Sequence, residues 1–313
     1  MKIGYFLFLI AFFCAQKLPL SGENLIFFKK YTMIIKILGQ AKAADLCARR
    51  MEKSMRILFV GDVVGEGGCR FAEKNLLAVK KHYQIDFAVV NAENSAVGNG
   101  CTPYSADWLF DFGADVLTLG NHGLRRKEIV PYLDNENHQI IRPLNYHRSA
   151  PGRGYTIIER GALRLGVINL MGMVGMESID NPFNCIDAAV EQLHAEGCHT
   201  ILVDFHAEAT AEKRAMGFYL AGRVSAVLGT HTHVPTADEQ ILSGGTAYIT
   251  DVGMTGPLDS CIGVKKELAI EKMRTLLPVK FENPDNPCSM QAVIVQTDNA
   301  SGKAVSIERI EVT

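Results

Sequence analysis

Between Ile57 and His233 one pattern recurs five times: a short apolar, β-branched run followed at once by a side chain able to ligate a metal. The runs are Ile-Leu-Phe-Val-Gly-Asp62, Phe-Ala-Val-Val-Asn-Ala-Glu93-Asn94, Val-Leu-Thr-Leu-Gly-Asn121-His122, Ile-Leu-Val-Asp-Phe-His206 and Ala-Val-Leu-Gly-Thr-His231-Thr-His233. Runs of this length and composition read as buried strands, and a sixth lies at 165–169. Between them, residues 70–82, 105–112, 126–133, 188–195 and 211–220 suit helices. Strands alternating with helices build βαβ units, so the fold class is α/β with parallel strand pairs. In such sheets ligands gather beyond the carboxyl ends of the strands, which would bring residues far apart in sequence to one rim.

Each element alone has an ordinary structural explanation. Asp62 could cap a helix or shape a turn. Glu93-Asn94 could be a polar loop, and Asn121 after Gly120 could occupy a left-handed turn. His206 could be a core histidine. His231-x-His233 is the sharpest signal, because two imidazoles two apart in extended backbone point the same way. Taken together, the ordinary explanation needs five independent coincidences at equivalent strand ends.

Two carboxylates, two carboxamides and three imidazoles form an N/O donor set without thiolate, suited to manganese, iron, zinc, cobalt or nickel. Seven ligands exceed one tetrahedral ion and suit two ions sharing Glu93. Two divalent ions facing Asp62, Glu93 and a bridging hydroxide leave a site of roughly +1, fit for a phosphodiester anion. The expected reaction is two-metal hydrolysis by hydroxide attack in line at phosphorus, with His122, beside a ligand, as the proton donor. Other motifs fail: the glycines at 61, 65, 67 and 68 lack both the dinucleotide and the P-loop spacing. His206-Ala-Glu208 has no following PCxxC, and no GxSxG occurs.

Charge divides the chain unevenly. Residues 1–54 carry nine Lys or Arg against three Asp or Glu, and the remaining 259 residues carry 23 against 31, net −8. An acidic body argues against a large nucleic-acid surface. The first 54 residues hold a 13-residue apolar run (3–15) after Lys2, and Met51 and Met55 stand just before the first strand. They read as an export signal, a membrane-surface anchor, or sequence translated from too early a start; without them no membrane association is expected. Eight cysteines with no CxxC pair are consistent with a reducing, cytoplasmic compartment. Residues 55–313, undivided by any linker, are expected to form one domain, closed by an antiparallel hairpin of 290–296 and 305–310 around Asp298-Asn-Ala-Ser-Gly302.

Gly61-Asp62, Asn91-Ala-Glu93-Asn94, Gly120-Asn121-His122, Asp204-Phe-His206-Ala-Glu-Ala-Thr210 and Gly229-Thr-His231-Thr-His233-Val-Pro-Thr-Ala-Asp238 resemble the calcineurin-like metallophosphoesterases, and more closely their YmdB-like bacterial subgroup. The resemblance runs from Met55 to the end. It implies a layered α/β/β/α sandwich with the closing hairpin in its second sheet. It further implies one metal held by Asp62, Glu93, Asn94 and His233, a second held by Glu93, Asn121, His206 and His231, and His122 as proton donor. Iron or manganese is the expected metal, with zinc the alternative. A homo-oligomer that hydrolyses small phosphodiesters is implied, 2′,3′-cyclic nucleotides ahead of 3′,5′-cAMP. A nuclease of the same fold, or a regulatory protein sensing a nucleotide at the metal site, are the competing readings. Val64 and Glu93 depart from the broad superfamily but agree with the subgroup. Gly123-Leu124-Arg125 departs from it, standing where relatives usually carry Thr-Trp-Asp, and bears on substrate preference.

Overall fold

The computed structural model describes residues 54–313, and the readings made for the N-terminal segment 1–54 lie, apart from Ser54 itself, outside the described residues. Two sheets face one another. The first has the strand order β2 (Asp62–Val63), β12 (Met254–Pro257), β13 (Cys288–Asp298), β1 (Ser54–Val60), β3 (Phe87–Asn91), β4 (Val116–Thr118) and β5 (Ile140–Ile141), with β14 (Ala304–Val312) paired to β13. The second has the order β10 (Gln240–Leu242), β11 (Thr246–Ile249), β9 (Ala226–Thr230), β8 (Thr200–His206), β7 (Leu163–Met171) and β6 (Tyr155–Arg160). β1, β3, β4 and β5 run parallel, as do β7, β8, β9 and β11.

The alternation of side chains along each strand sets the layers. Ile57, Phe59, Phe87, Val89 and Val116 point between the sheets and pack on Leu165, Val167, Leu202, Ala226 and Leu228 of the second sheet. Their neighbours Leu58, Val60, Ala88, Val90 and Leu117 point outward, onto helices α1 (Gly65–His82) and α2 (Pro103–Asp111). Ile168, Ile201 and Val203 face α4 (Pro182–Ala195) and α5 (Thr210–Tyr219). The result is the expected α/β/β/α sandwich. Local chemistry starts the helices: Thr102 accepts from the Ser105 amide and Ser105 Oγ accepts from the Thr102 amide, a reciprocal cap ahead of Pro103.

Two expectations are corrected. Residues 126–133 do not form one helix: a 3₁₀ turn at Lys127–Ile129 precedes a single turn, α3 (Val130–Leu133), because Pro131 has no amide to carry the ladder through. The closing hairpin joins the first sheet, not the second. Its strand β13 pairs antiparallel with β1 along all of Ser54–Val60. With Met290, Ala292 and Ile294 facing the helices and Val293 and Val295 facing the other sheet, β13 is buried on both faces and needs a central position. A further helix, α6 (Lys266–Thr275), buries only Ala269. No helix among the described residues is long and apolar enough to cross a membrane.

Candidate metal centre

The topology brings all the singled-out strand ends to one rim. Asp62 lies in β2, fully buried; Glu93 and Asn94 follow β3; Asn121 and His122 follow β4; His206 ends β8; His231 and His233 follow β9. The ligand atoms form two groups that share Glu93: Glu93 with His206 and His231, and Asp62 with Glu93 and His233. Both asparagines border these groups: Asn121 Oδ1 is 3.1 Å from His206 Nε2, and Asn94 faces the second group with Nδ2, 3.3 Å from His233 Nε2 and donating to Glu93 Oε1 at 2.8 Å. His122 sits between, its Nδ1 2.9 Å from Asn94 Oδ1 and its amide donating to Glu93 Oε2 at 3.2 Å.

The sequence placed His231 and His233 on extended backbone, but they lie on a turn. Their φ angles are 97° and 63°, left-handed values that cost a bulky residue energy and persist only when the surroundings hold them. The holding group is Asp251. Its Oδ2 accepts from Thr232 N at 3.1 Å, Thr232 Oγ1 at 2.7 Å and the buried Lys213 Nζ at 2.7 Å. The His231 amide itself donates to Asp62 Oδ2 at 3.2 Å.

Outer hydrogen bonds set which imidazole nitrogen faces the centre. Thr230 donates to Asp204 Oδ1 at 2.7 Å, leaving its oxygen to accept from His206 Nδ1 at 2.9 Å. His233 Nδ1 donates to the Ile262 carbonyl at 3.0 Å, and His231 Nε2 lies 3.1 Å from Glu208 Oε2. Consequently His206 Nε2, His231 Nδ1 and His233 Nε2 all face inward, with His206 Nε2 only 3.1 Å from His231 Nδ1. Two inward nitrogen lone pairs at that separation need a cation or a proton between them.

The electrostatics show the same need. Burial opposes ionisation of Asp62, but neighbouring His233 outweighs it and holds the carboxyl below its ordinary value. Burial opposes ionisation of Glu93 too, and His206 and His122 outweigh it, holding that carboxyl well below the usual range. In return, and against its own burial, His233 is pushed up to about 9 by Asp62. Burial drives Asp204 up to about 7 despite the charge of His206. Imidazolium protons thus balance buried carboxylates where divalent cations would serve instead.

The residues fit such cations on further grounds. Asp62 Oδ1 is buried with no hydrogen-bond partner among the described residues; His233 Nε2, at 3.6 Å, is too far for one. Gly120 leaves the space open, because a Cβ there would sit 2.3 Å from Glu93 Oε2 and from the His206 ring.

Sequence reasoning missed Asp204, Thr230, Lys213, Asp251 and Glu208. Asp204 had a signal, a charge inside a strand-like run. Asp251 lies in the stretch Gly245–Pro257, which shares the family resemblance, but nothing local marks its role, which depends on where Thr232 and Lys213 come to lie.

Paired carboxylate–imidazole clusters at the strand ends of a two-sheet sandwich define a hydrolase of the metallophosphoesterase type. The chain belongs to the YmdB-like protein family, whose sequence pattern matches residues 58–310. It is 43% identical over 256 residues to the 2′,3′-cyclic-nucleotide 2′-phosphodiesterase of Bacillus subtilis (strain 168), covering 82% of this chain and 96% of that protein. Among solved structures, a hypothetical protein from Thermus thermophilus matches with TM-score 0.77 at 38% identity, covering 82% of this chain and 99% of that one. A phosphatase from Mycoplasma pneumoniae also matches with TM-score 0.77, at 32% identity, covering 83% and 93%.

Proposed function

We propose that the protein is a metal-dependent phosphodiesterase that opens 2′,3′-cyclic nucleotides at the 2′ ester. The observation that carries this is the sharing of one buried carboxylate, Glu93, by two imidazole-containing clusters, in a chain so similar to a protein of that activity. Asp62, Glu93, Asn94 and His233 would hold one cation, and Glu93, Asn121, His206 and His231 the other. Iron or manganese suits these N/O donors. When bound, the cations supply Lewis acidity toward the phosphoryl oxygens and acidify water.

The chain's own residues do the rest. The Asn94 carboxamide, 2.9 Å from His122 Nδ1, orients the ring and leaves Nε2 toward the substrate; to hold a cation Asn94 would exchange its oxygen and nitrogen, Nδ2 then donating to His122 Nδ1. A water that gives one proton to solvent adds its oxygen to phosphorus, the bond from phosphorus to O2′ breaks with its electron pair going to O2′, and O2′ takes a proton from His122 Nε2, which regains one from solvent. The product is a 3′-phosphomonoester.

Bis(p-nitrophenyl) phosphate, 2′,3′-cAMP and 3′,5′-cAMP, each with manganese or iron, test the reading. Metal-dependent conversion of 2′,3′-cAMP to 3′-AMP is expected, ahead of 3′,5′-cAMP. No metal-dependent turnover of any of the three defeats it.

A further inference from the structure

A pocket of about 320 Å³ is lined by Asn99, Arg125, Val264, Lys280, Phe281 and Asn283 among others. Its volume falls in the range of small-ligand sites, roughly 300–1,000 Å³. Three of its walls are tied to the metal centre. Arg125 N donates to the His122 carbonyl at 3.0 Å, a turn that keeps the two Cα atoms within about 7 Å. Asn99 lies on the loop that leaves Glu93-Asn94, and its carbonyl accepts from Arg126 Nε at 2.9 Å. Asn283 Nδ2 donates to the Gly263 carbonyl at 2.8 Å, next to Ile262, whose carbonyl receives His233.

The pocket's charge is positive although the body is acidic. Arg125 and Lys280 are exposed, and neither side chain makes a hydrogen bond or close ion pair with another described residue. The one carboxylate in the lining, Glu282, is paired with Lys265 Nζ at 2.8 Å and feels Lys280 only through space. Phe281, 48% exposed, presents an aromatic face. Free cations, carboxamides and an aromatic ring, in a pocket whose Arg125 lies one turn from the proton donor, suit a phosphate and a base.

We infer that this pocket is a second subsite, in which Arg125 and Lys280 bind the phosphate on the 5′ side of the nucleoside whose cyclic phosphate is opened. Phe281 offers a stacking face to a base beyond that phosphate. The inference rests on the phosphodiesterase reading and deepens it: the preferred substrate carries a second phosphate. That phosphate is either a free 5′-phosphate or the internucleotide linkage at the 3′ end of a short oligoribonucleotide. Arg125 belongs to the Gly123-Leu124-Arg125 segment, and its position gives that departure from the relatives a use.

The test is calorimetric binding of three product-like probes to the metal-loaded protein: 3′-AMP, adenosine 3′,5′-bisphosphate and the dinucleotide ApAp. Charge-assisted contacts of this kind predict about tenfold tighter binding of adenosine 3′,5′-bisphosphate than of 3′-AMP, narrowing as salt is added. Arg125→Gln with Lys280→Gln should bring that ratio close to one, and both positions are exposed, so the core is untouched. A similar advantage for ApAp, reduced by Phe281→Ala, identifies an RNA end as the source; an advantage confined to the bisphosphate identifies a free 5′-phosphate. Turnover of 2′,3′-cAMP with equal binding of 3′-AMP and adenosine 3′,5′-bisphosphate, or an advantage that survives the double substitution, overturns the subsite alone. No turnover and no binding of any probe overturns both readings.

Discussion

Asp251→Asn tests whether a buried ion pair holds the turn that carries two of the candidate ligands. Asp251 is fully buried and its partner Lys213 is 1% exposed. The carboxylate accepts from Lys213 Nζ, Thr232 N and Thr232 Oγ1 through Oδ2, and from Gly253 N at 2.9 Å through Oδ1. Asparagine keeps the shape but removes the charge, and one of its two termini becomes a donor facing donors. Lys213 is left as an uncompensated buried cation. Removing one partner of a buried pair costs about 3–5 kcal/mol, a large share of the roughly 5–15 kcal/mol that holds a native protein together.

The second consequence is local. The left-handed backbone at His231 and His233 loses the anchor at Thr232 between them, so both imidazoles are freed from their inward positions. Denaturant unfolding should show a lowered midpoint with the slope unchanged, worth about 3–5 kcal/mol. Metal content after dialysis should fall below two equivalents. Adding Lys213→Met should recover part of the lost stability, since the stranded charge goes with it, a coupling of about 1–3 kcal/mol. A single variant that loses less than about 1 kcal/mol and keeps its metals would refute the anchoring role.

Three further outcomes are expected. His122→Ala should keep both metal equivalents while kcat drops by about 10²–10⁴, the usual worth of a general acid; reduced metal content would mean that His122 is itself a ligand. Gly120→Ala should displace Glu93 and His206 together, because its Cβ would lie 2.3 Å from both. It should lower stability by about 1–3 kcal/mol and abolish tight metal binding by titration, and full metal occupancy would contradict the close approach. Metal binding should release a proton at pH values below about 9, because His233 is held protonated there in the metal-free protein and must lose its proton to ligate. Apparent affinity should therefore fall as pH drops below about 9, and calorimetric heats at neutral pH that do not vary with buffer ionisation enthalpy would count against it.

Much of the site was legible because β-strands make local statements. A run such as Ile-Leu-Phe-Val before Gly61-Asp62 announces both its strand and where it ends, and a ligand just past a strand end is placed by the general behaviour of open α/β sheets. All eight of the singled-out residues, from Asp62 to His233, accordingly meet at one rim. The helices at 70–82 and 188–195 were legible for the same reason, from apolar residues at helical spacing. The short strands β2, β5 and β10–β12 were not, since two to four residues carry no period of their own.

What the amino-acid sequence determined by itself was the α/β class and the common destination of the candidate donors. Only the tertiary structure decided which imidazole nitrogen faces inward, that Lys213 and Asp251 clamp the His231–His233 turn, and that β13 lies beside β1. These depend on pairings between residues up to more than two hundred positions apart, such as Ser54 with Asp298. Local preference is blind to such pairings; burial of both faces of β13 and the cost of leaving a buried charge or lone pair unmatched select them.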